Sequence, residues 1–518
     1  MSILTVKNIS HGFGDRAIFE DVSFRLLKGE HVGLIGANGE GKSTFMNIIT
    51  GKIMPDEGKV EWSNNVRVGY MDQHAQLVKG QTIRDVLKGA FKYLFDLETE
   101  MMSVTDKMAE ADTDTLEKLL DRMGTIQDLL DNSGFYVIDA KVEDVAKGLG
   151  LTEVGLDKDV TDLSGGQRTK VLLAKLLLEN PDILLLDEPT NYLDEQHVEW
   201  LRRYLEAYEN AFILISHDIP FLNSVINLIY HVENRKLNRY VGDYDNFMRV
   251  YEANKKQVEA AYERQQAEIS RLETFVAKNK ARAATTGMAR ARQKQLDKIE
   301  RIEISKERPK PEFNFKAARA SSKLIFETDH LVIGYDTPLS KSLNLKMERG
   351  QKIALVGSNG LGKTTLLKSL MGQIPAISGS VTLGDYQYIG YFEQEIKKAN
   401  YNTCIEEFWN DFQSYSQYEV RAALAKCGLT TKHIESKITV LSGGEQAKVR
   451  LCKLINRETN ILILDEPTNH LDVEAKDELK RALKEYKGSI LLVCHEPEFY
   501  QDVVTDVWNC EDWTTKIV

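Results

Sequence analysis

Short apolar runs repeat in the same order in the two halves of the chain. The first half contains HVGLI, ILLLDEP and FILI, and the second half contains KIALV, ILILDEP and ILLV. Runs of this length, rich in small and β-branched residues, are typical of buried strands in a parallel sheet. Helical patterns follow the first run of each half. The pattern therefore predicts an α/β fold that occurs twice.

The segment between the two halves has the spacing of helices instead. Its first arm places side chains at alternating steps of four and three residues, and these positions are Val258, Tyr262, Gln265, Ile269, Leu272 and Val276. A second arm has Leu296, Ile299 and Ile302. Such steps put side chains on one face of a helix. We predict an α-helical hairpin in which about 30 residues of helix carry the tip roughly 45 Å from its root.

The predicted tip of the hairpin, around Gly287, is cationic. No acidic residue occurs from Thr274 to Leu296, whereas six basic residues do: Lys278, Lys280, Arg282, Arg290, Arg292 and Lys294. One interpretation is a solvated linker whose charges only maintain solubility. The rest of the segment mixes both signs of charge, so solubility did not require a purely cationic tip. A polyanion-binding tip is the alternative.

Composition limits where a polyanion could bind. The 518 residues are enough for two or three domains, and the net charge of −11 argues against a surface that coats nucleic acid as a whole. The start, MSILTVKNISHGF, is unlike a secretory signal, and no apolar run reaches the roughly 20 residues of a membrane span. The five cysteines show no CxxC spacing, which predicts free thiols in a reducing cytosol.

Two glycine-rich motifs follow the first apolar run of each half. GANGEGKST spans Gly36 to Thr44 and GSNGLGKTT spans Gly357 to Thr365, each between a predicted strand and a predicted helix. This context supports a phosphate-binding loop, in which glycines let backbone N–H groups approach phosphates. The lysine of each motif would reach the β and γ phosphates, and the next hydroxyl would hold Mg²⁺.

Further motifs follow each loop in the same order. They are Gln73 and Gln394, then LSGGQ (Leu163 to Gln167) and LSGGE (Leu441 to Glu445), then the acids Asp187 and Glu188 or Asp465 and Glu466, and finally His217 and His495. The offset between the copies is 321 residues at the glutamines and 278 residues from LSGG onwards. The first half therefore carries an insertion, predicted at about 92–136. Its acidic, helical composition favours a solvated hairpin, with a partner-binding arm as the alternative.

These motifs, in this order and twice over, resemble the ATP-binding cassette (ABC) superfamily, and the resemblance covers both halves. It implies an α/β fold with two ABC-type nucleotide-binding domains, each a phosphate-loop NTPase core plus a helical subdomain, joined by a long α-helical hairpin linker. The predicted domains are residues 1–250, 251–312 and 313–518.

In that superfamily two cassettes pair head to tail, so each ATP lies between the phosphate loop of one and the LSGG of the other. The first implied site combines Phe13, Gly36, Asn38, Gly39, Gly41, Lys42, Ser43, Thr44, Gln73, Asp187, Glu188 and His217 with Ser442, Gly443 and Gly444. The second combines Tyr335, Gly357, Asn359, Gly360, Gly362, Lys363, Thr364, Thr365, Gln394, Asp465, Glu466 and His495 with Ser164, Gly165 and Gly166.

The resemblance also implies a role for each side chain. Glu188 and Glu466 would orient or deprotonate the attacking water, and His217 and His495 would contact the γ-phosphate. Phe13 would stack on adenine in one site and Tyr335 in the other. The implied Mg²⁺ ligands are Ser43, Gln73, Asp187, Thr364, Gln394 and Asp465.

Within the superfamily the chain resembles the ABC-F group, through NYLD, NHLD, YVGDYDNF and the charged linker. This resemblance implies a cytoplasmic ATPase, monomeric with its cassettes paired internally and without membrane insertion. Such a protein binds ribosomal RNA and tRNA near the tRNA exit site, with the linker cations directed towards the peptidyl-transferase region. A translation factor that rescues stalled ribosomes and a factor that protects them from antibiotics both remain open.

Two other functions are weighed against this one. A cassette pair could energise a separate membrane transporter, although the linker would then have no task. A DNA-repair or chromosome-organising ATPase would show zinc-spaced cysteines or much longer coiled coils, and the sequence has neither.

Overall fold

The structure is a computed structural model that describes most of the chain. The described residues are 2–14, 16–37, 39–71, 77–108, 112–191, 193–279, 286–299, 310–335, 337–393, 400–469 and 471–515.

The first half is built on a six-stranded sheet in the order β5-β6-β7-β3-β8-β9, flanked by a three-stranded antiparallel sheet in the order β2-β1-β4. Its strands are β1 (Ser2–Phe13), β2 (Arg16–Leu27), β3 (His31–Ile35), β4 (Glu57–Trp62), β5 (Val68–Tyr70), β6 (Ile183–Asp187), β7 (Ala211–Ile215), β8 (Leu228–Glu233) and β9 (Lys236–Val241). The larger sheet is parallel except for the β8–β9 pair. The apolar runs predicted as strands form its centre.

Helices surround this sheet. They are α1 (Lys42–Ile49), α2 (Ile83–Lys88), α3 (Lys92–Met108), α4 (Thr113–Ser133), α5 (Ile138–Gly148), α6 (Gly165–Glu179), α7 (Glu195–Glu206) and α8 (Ile219–Val225). The helices α3 and α4 pack on each other and occupy the segment predicted as an insertion. Their pairing includes a two-pronged ion pair, because both Arg122 Nε and Nη2 donate to Glu100 oxygens at 2.8 Å.

The second half repeats the plan with a parallel five-stranded sheet in the order β14-β15-β16-β12-β17 and an antiparallel sheet in the order β11-β10-β13. Its strands are β10 (Leu324–Val332), β11 (Lys346–Glu348), β12 (Lys352–Val356), β13 (Ser378–Leu383), β14 (Ile389–Phe392), β15 (Ile461–Asp465), β16 (Ser489–Val493) and β17 (Asp506–Asn509). The two sheets thus have the same core connectivity.

Between the halves lies a helical hairpin made of α9 (Tyr244–Asn279) and α10 (Thr286–Asp297), which pack against each other. The helices of the second half are α11 (Lys363–Leu370), α12 (Cys404–Asp411), α13 (Gln417–Lys426), α14 (Thr431–Glu435), α15 (Gly443–Asn456), α16 (Val473–Glu485) and α17 (Pro497–Tyr500).

The hairpin differs in detail from its prediction. Ile269 and Leu272, which share one face of the first arm, are buried, whereas Val258, which the spacing places on the same face, is 47% exposed. Gly287 is the second residue of α10 and therefore lies at the tip end of the second arm, as predicted; residues 280–285, between the two arms, lie outside the described residues. The second arm ends at Asp297, before Ile299, and Ile302 lies outside the described residues.

Each half buries two apolar cores, one on either face of its parallel sheet. One core joins the sheet to the helical subdomain, and the other joins it to the antiparallel sheet and to the helix after the glycine-rich loop. All five cysteines are buried and carry free thiols, as predicted. Among the described residues, the helices are too short or too polar to span a bilayer.

Candidate active sites

Both glycine-rich loops lie between a central strand and the following helix, with backbone conformations that favour glycine. Gly36, Gly39 and Gly41 have φ values of 152°, 77° and 106°. A Cβ on Gly41 would lie 2.4 Å from Cγ2 of Ile18, so any larger residue would collide there. The second loop repeats the pattern, with φ values of 131°, 82° and 95° at Gly357, Gly360 and Gly362. Asn359 is described, whereas Asn38 lies outside the described residues.

The lysine of each loop folds back onto the loop itself. Lys42 Nζ donates to the carbonyl oxygens of Gly36 at 2.7 Å and Ala37 at 3.3 Å. Lys363 Nζ donates to the equivalent carbonyl oxygens, at 2.6 and 2.9 Å. Burial lowers the pKa of both lysines, although nearby carboxylates oppose the shift. Each loop therefore encloses a buried cation that an entering phosphate would stabilise.

The residue after each lysine contacts the aspartate at the end of a central strand. Ser43 Oγ donates to Asp187 Oδ2 at 2.9 Å, and Thr364 Oγ1 donates to Asp465 Oδ2 at 2.8 Å. Burial raises the pKa of both aspartates, that of Asp465 to about 6. A hydroxyl and a carboxylate oxygen this close fit the oxygen ligands that Mg²⁺ prefers. The other predicted metal ligands, Gln73 and Gln394, lie outside the described residues.

The glutamates after these aspartates have a strained backbone. Glu188 has a φ of 50° and Glu466 a φ of 49°, values that are uncommon for residues other than glycine. Their backbone N–H groups still donate to the next strand, to Ile215 and Val493 oxygens at 2.9 and 3.0 Å. The same strain in both copies is typical of a functional position. The sequence did not reveal this backbone strain, because a glutamate, unlike a glycine, does not indicate a positive φ.

The histidines that follow the next strand, His217 and His495, lie beside these glutamates. His217 Nε2 is 3.6 Å from Glu188 Oε1, and His495 Nε2 is 3.3 Å from Glu466 Oε1. Asn469 was missed as a site residue, although it belongs to the NHLD motif. Its Nδ2 donates to Glu466 Oε2 at 2.7 Å. The repeated asparagine of NYLD and NHLD was the signal that could have identified it.

The LSGG motifs begin helices α6 and α15. Ser164 and Ser442 are the N-caps, and their hydroxyls accept from the backbone N–H of Gln167 and Glu445, both at 3.3 Å. A Cβ on Gly165 would have none of the described residues within 4 Å, so their packing does not require glycine there. The glycine instead leaves the helix N-terminus open to an approaching anion.

The predicted adenine-stacking rings are exposed. Phe13 ends β1 and is 51% exposed, and Tyr335, which follows β10, is 66% exposed. His11 packs edge-on against Phe13, with ring centroids 4.9 Å apart, and so supports one side of that ring.

The two halves face each other through the segments that end in NYLD and NHLD. The negative charge of Asp472, in the second half, raises the pKa of Lys42 in the first half. In turn, His217 of the first half lowers the pKa of Asp472. In the reverse direction, Asp194 acts on Lys363 of the second half. These interactions are what a head-to-tail arrangement requires. Contact of Ser164 or Ser442 with the opposite phosphate loop stays a prediction.

The repeated fold and its two sites define a tandem ATP-binding-cassette ATPase. A family model described as ABC transporter matches residues 19–191 and 340–469, and a second model of the same description matches residues 230–315. The chain belongs to the F family of ABC proteins. It is 33% identical over 518 residues to ABC transporter F family member 2 of Arabidopsis thaliana, covering 98% of this chain and 75% of that protein. It therefore binds and hydrolyses ATP.

Two further similarities extend over nearly the whole chain. An uncharacterized ABC transporter ATP-binding protein, YfmM of Bacillus subtilis (strain 168), is 73% identical over 518 residues, which is 100% of both chains. A solved structure titled "Model of ribosome-bound archaeal Pelota and ABCE1" matches with a TM-score of 0.57 at 20% identity, covering 96% of this chain and 75% of that chain. At this identity the match shows the tandem-cassette fold.

Proposed function

We propose that this protein is a Mg²⁺-dependent ATPase of the cytoplasm that binds the ribosome near the tRNA exit site. In this proposal, ATP closes the two cassettes, and closure directs the hairpin tip towards RNA of the peptidyl-transferase region. Hydrolysis then releases the tip. The ribosome-bound complex with the same tandem-cassette fold supports this function, as does membership of the F family.

The observation that carries the proposal is that the hairpin is anchored to α8, the helix that follows His217 of the first ATP site. Helix α8 begins just after His217 and packs against α9. Within α8, Asn223 makes two hydrogen bonds to the first turn of α9. Its Oδ1 accepts from Tyr244 N at 2.9 Å, and its Nδ2 donates to Asp245 Oδ2 at 3.0 Å. A shift of the His217 segment on γ-phosphate binding would therefore move the root of the hairpin.

The second cassette also reaches this root. Tyr251 Oη of α9 donates to Glu233 Oε1 at 2.7 Å, and the charge of Glu474 in α16 acts on the same tyrosine. Because α16 also follows Asp472, one short segment faces both the first ATP site and the hairpin. A small displacement at the root becomes a large one at the end of a helix as long as α9.

The described part of the tip is suited to RNA. Lys278, Arg290, Arg292 and Lys294 are all exposed, whereas Lys280 and Arg282 lie outside the described residues. Exposed cations on a stiff helix match a phosphate-lined surface that is recognised by shape and charge.

The chemistry follows from the placement of the side chains. Glu188 and Glu466 would orient the attacking water, and the loop lysines would neutralise charge on the transferred phosphate. His217 and His495 would report the γ-phosphate. The Ser43–Asp187 and Thr364–Asp465 pairs would hold Mg²⁺, whose positive charge would stabilise the negative charge that develops on the transferred phosphate.

The test uses the double variant Glu188→Gln, Glu466→Gln, which should bind ATP without hydrolysing it. We expect it to sediment with ribosomes in ATP and to be released by high salt. Adding Arg290→Gln, Arg292→Gln and Lys294→Gln should weaken sedimentation by about tenfold or more, because each lost phosphate contact reduces binding.

The matched control removes the same number of exposed positive charges elsewhere, through Lys432→Gln, Lys437→Gln and Lys487→Gln on the second cassette. This control should sediment like its parent. A double variant that retains ATP but stays free of ribosomes, or that collects with membranes, would contradict the proposed function.

A further inference from the structure

Three acidic residues from the two cassettes lie near each other where the segments that follow His217 and His495 meet. Asp218 follows the switch histidine of the first cassette, and Glu496 holds the equivalent position after the histidine of the second. Burial raises the pKa of Asp218 most, and the charges of Glu496 and Glu498 raise it further from across the junction. Equivalent residues of a repeat that approach each other lie near the local twofold axis that relates the two copies.

Lys476 of α16 enters this acidic junction. Lys476 Nζ lies 2.9 and 3.1 Å from the two carboxylate oxygens of Glu496, and its side chain is only 18% exposed. Its positive charge also reaches Asp218 and Glu188 of the first cassette, and it lowers the pKa of both groups against the effect of burial. Lys476 is thus bound within its own cassette while it acts on the other.

The charges determine what this lysine must do when the cassettes close. Asp218 and Glu496 repel each other, and the repulsion grows as they approach and lose water. A cation shared between them would turn the repulsion into attraction. The ion pair with Glu496 holds the ammonium at the junction, so little side-chain freedom remains to be lost on closure.

The first cassette has no lysine at the position equivalent to Lys476. The two copies are offset by 278 residues in this region, which places Val198 of α7 at the position equivalent to Lys476. A valine cannot serve as a counter-ion. The lysine therefore breaks the symmetry of an otherwise repeated arrangement, and it does so next to the glutamate of the first ATP site.

We propose that Lys476 is a cross-cassette positioning residue, a shared counter-ion for Asp218 and Glu496 that stabilises the closed, ATP-bound pair of cassettes. It thereby couples the two histidine switches. The inference concerns the protein alone, so a failure to bind ribosomes would leave it intact.

The test measures how long ATP stays trapped in the full-length Glu188→Gln, Glu466→Gln protein. Radiolabelled ATP is bound, excess nucleotide is removed, and release is followed with time. Lys476→Met keeps the length of the side chain but removes its charge. We expect about tenfold faster release, the size of a typical coupling between close charges, whereas Lys476→Arg should stay within about threefold of its parent.

A rescue separates this role from a purely local one. Asp218→Asn together with Glu496→Gln removes the repulsion that the lysine offsets, and asparagine preserves the cap of Asp218 on the N–H of Phe221. In the Lys476→Met background these changes should restore slow release to within about threefold. The thermal unfolding of each nucleotide-free variant is measured to confirm that it folds.

Two results would overturn the proposal. The first is Lys476→Met releasing ATP as slowly as its parent. The second is fast release that the neutralised acids do not restore, because the lysine would then act only within its own cassette.

Discussion

Glu188 and Glu466 occupy equivalent positions with the same strained backbone, yet the pKa values of their carboxyl groups are shifted in opposite directions. Burial and the neighbouring Asp187 raise the pKa of Glu188. Burial also acts on Glu466, but the hydrogen bond and charge of His495 outweigh it, with help from Lys363 and Asn469, and its pKa is lowered. Glu188 is therefore harder to ionise than Glu466.

This difference predicts opposite effects of two equivalent substitutions on stability. A raised pKa means that burying the Glu188 carboxyl costs stability as pH rises above the ordinary carboxyl range, towards the raised value. Glu188→Gln removes that cost. The nucleotide-free variant should exceed the wild type by on the order of 1 kcal/mol near pH 8, and the difference should shrink towards pH 5. Urea unfolding across this range measures it.

Glu466→Gln is the matched control, and the opposite sign is expected. A lowered pKa stabilises the fold fully above the ordinary carboxyl range and is lost as pH falls through the lowered value. The variant should be less stable than the wild type at pH 7, by on the order of 1 kcal/mol, with a smaller deficit in acid. Equal shifts for both variants at every pH would contradict the assignment of the two environments.

The LSGG glycine predicts a loss of function without a loss of fold. A Cβ on Gly165 meets no neighbour within 4 Å, so Gly165→Ala should leave thermal stability unchanged or slightly higher. The same methyl group would stand where an anion must approach the helix N-terminus. We expect steady-state ATP hydrolysis to fall by about tenfold or more, the effect of losing one donor to a developing charge.

Gly124→Ala in α4 provides the comparison. This glycine also has open space around its Cβ, but it lies in the acidic hairpin far along the chain from every site motif. Here we expect a gain in stability of about 1 kcal/mol and unchanged hydrolysis. A Gly165→Ala protein that hydrolyses ATP at the wild-type rate would argue against phosphate binding by LSGG.

The anchorage of the hairpin predicts an uncoupled protein. Asn223→Ala removes both hydrogen bonds to the first turn of α9 and leaves the ATP sites intact. ATP hydrolysis by the free protein should stay within about twofold of the wild type, because the two hydrogen bonds that are lost join Asn223 to α9 and not to a residue of the ATP sites. ATP-dependent sedimentation with ribosomes should weaken several-fold.

The neighbouring Ser224 supplies the control, since its hydroxyl donates within α8, to Phe221 O at 2.8 Å. Ser224→Ala should behave as wild type in both assays. If Asn223→Ala also sediments normally, the switch does not act on the hairpin through this contact.

If the hydroxyl that follows each loop lysine helps to hold Mg²⁺, its removal should raise the Mg²⁺ concentration that ATP hydrolysis requires. Thr364→Val keeps the shape of the side chain but removes the oxygen that contacts Asp465. Half-maximal hydrolysis at the second site should then require about tenfold more Mg²⁺. The measurement is made in the Glu188→Gln background, where the second site provides the activity. An unchanged Mg²⁺ requirement would exclude Thr364 as a ligand.

Much of the repeated core could be predicted from sequence, because the controlling rules are local. Apolar runs indicate buried strands, and the glycine spacing of each loop indicates a backbone that only glycine adopts easily. The acids of ILLLDEP and ILILDEP lie at strand ends in both copies. The hairpin was predictable from its helical spacing, and Gly287 lies at the tip end of the second arm as the sequence indicated. The prediction was wrong at Val258, which has the spacing of the buried positions but is 47% exposed.

Tertiary structure decided what distinguishes the two copies. Both glutamates follow an aspartate, and both motifs continue with an asparagine and a later histidine, so the sequence does not reveal that His495 and Asn469 lower the pKa of Glu466 while burial raises that of Glu188. Asn223 and Lys476 likewise lie outside every motif. Their roles depend on distances to Asp245, Asp218 and Glu496, which folding brings close from remote parts of the chain. Charge interactions depend on separation and burial in space, and sequence spacing specifies neither.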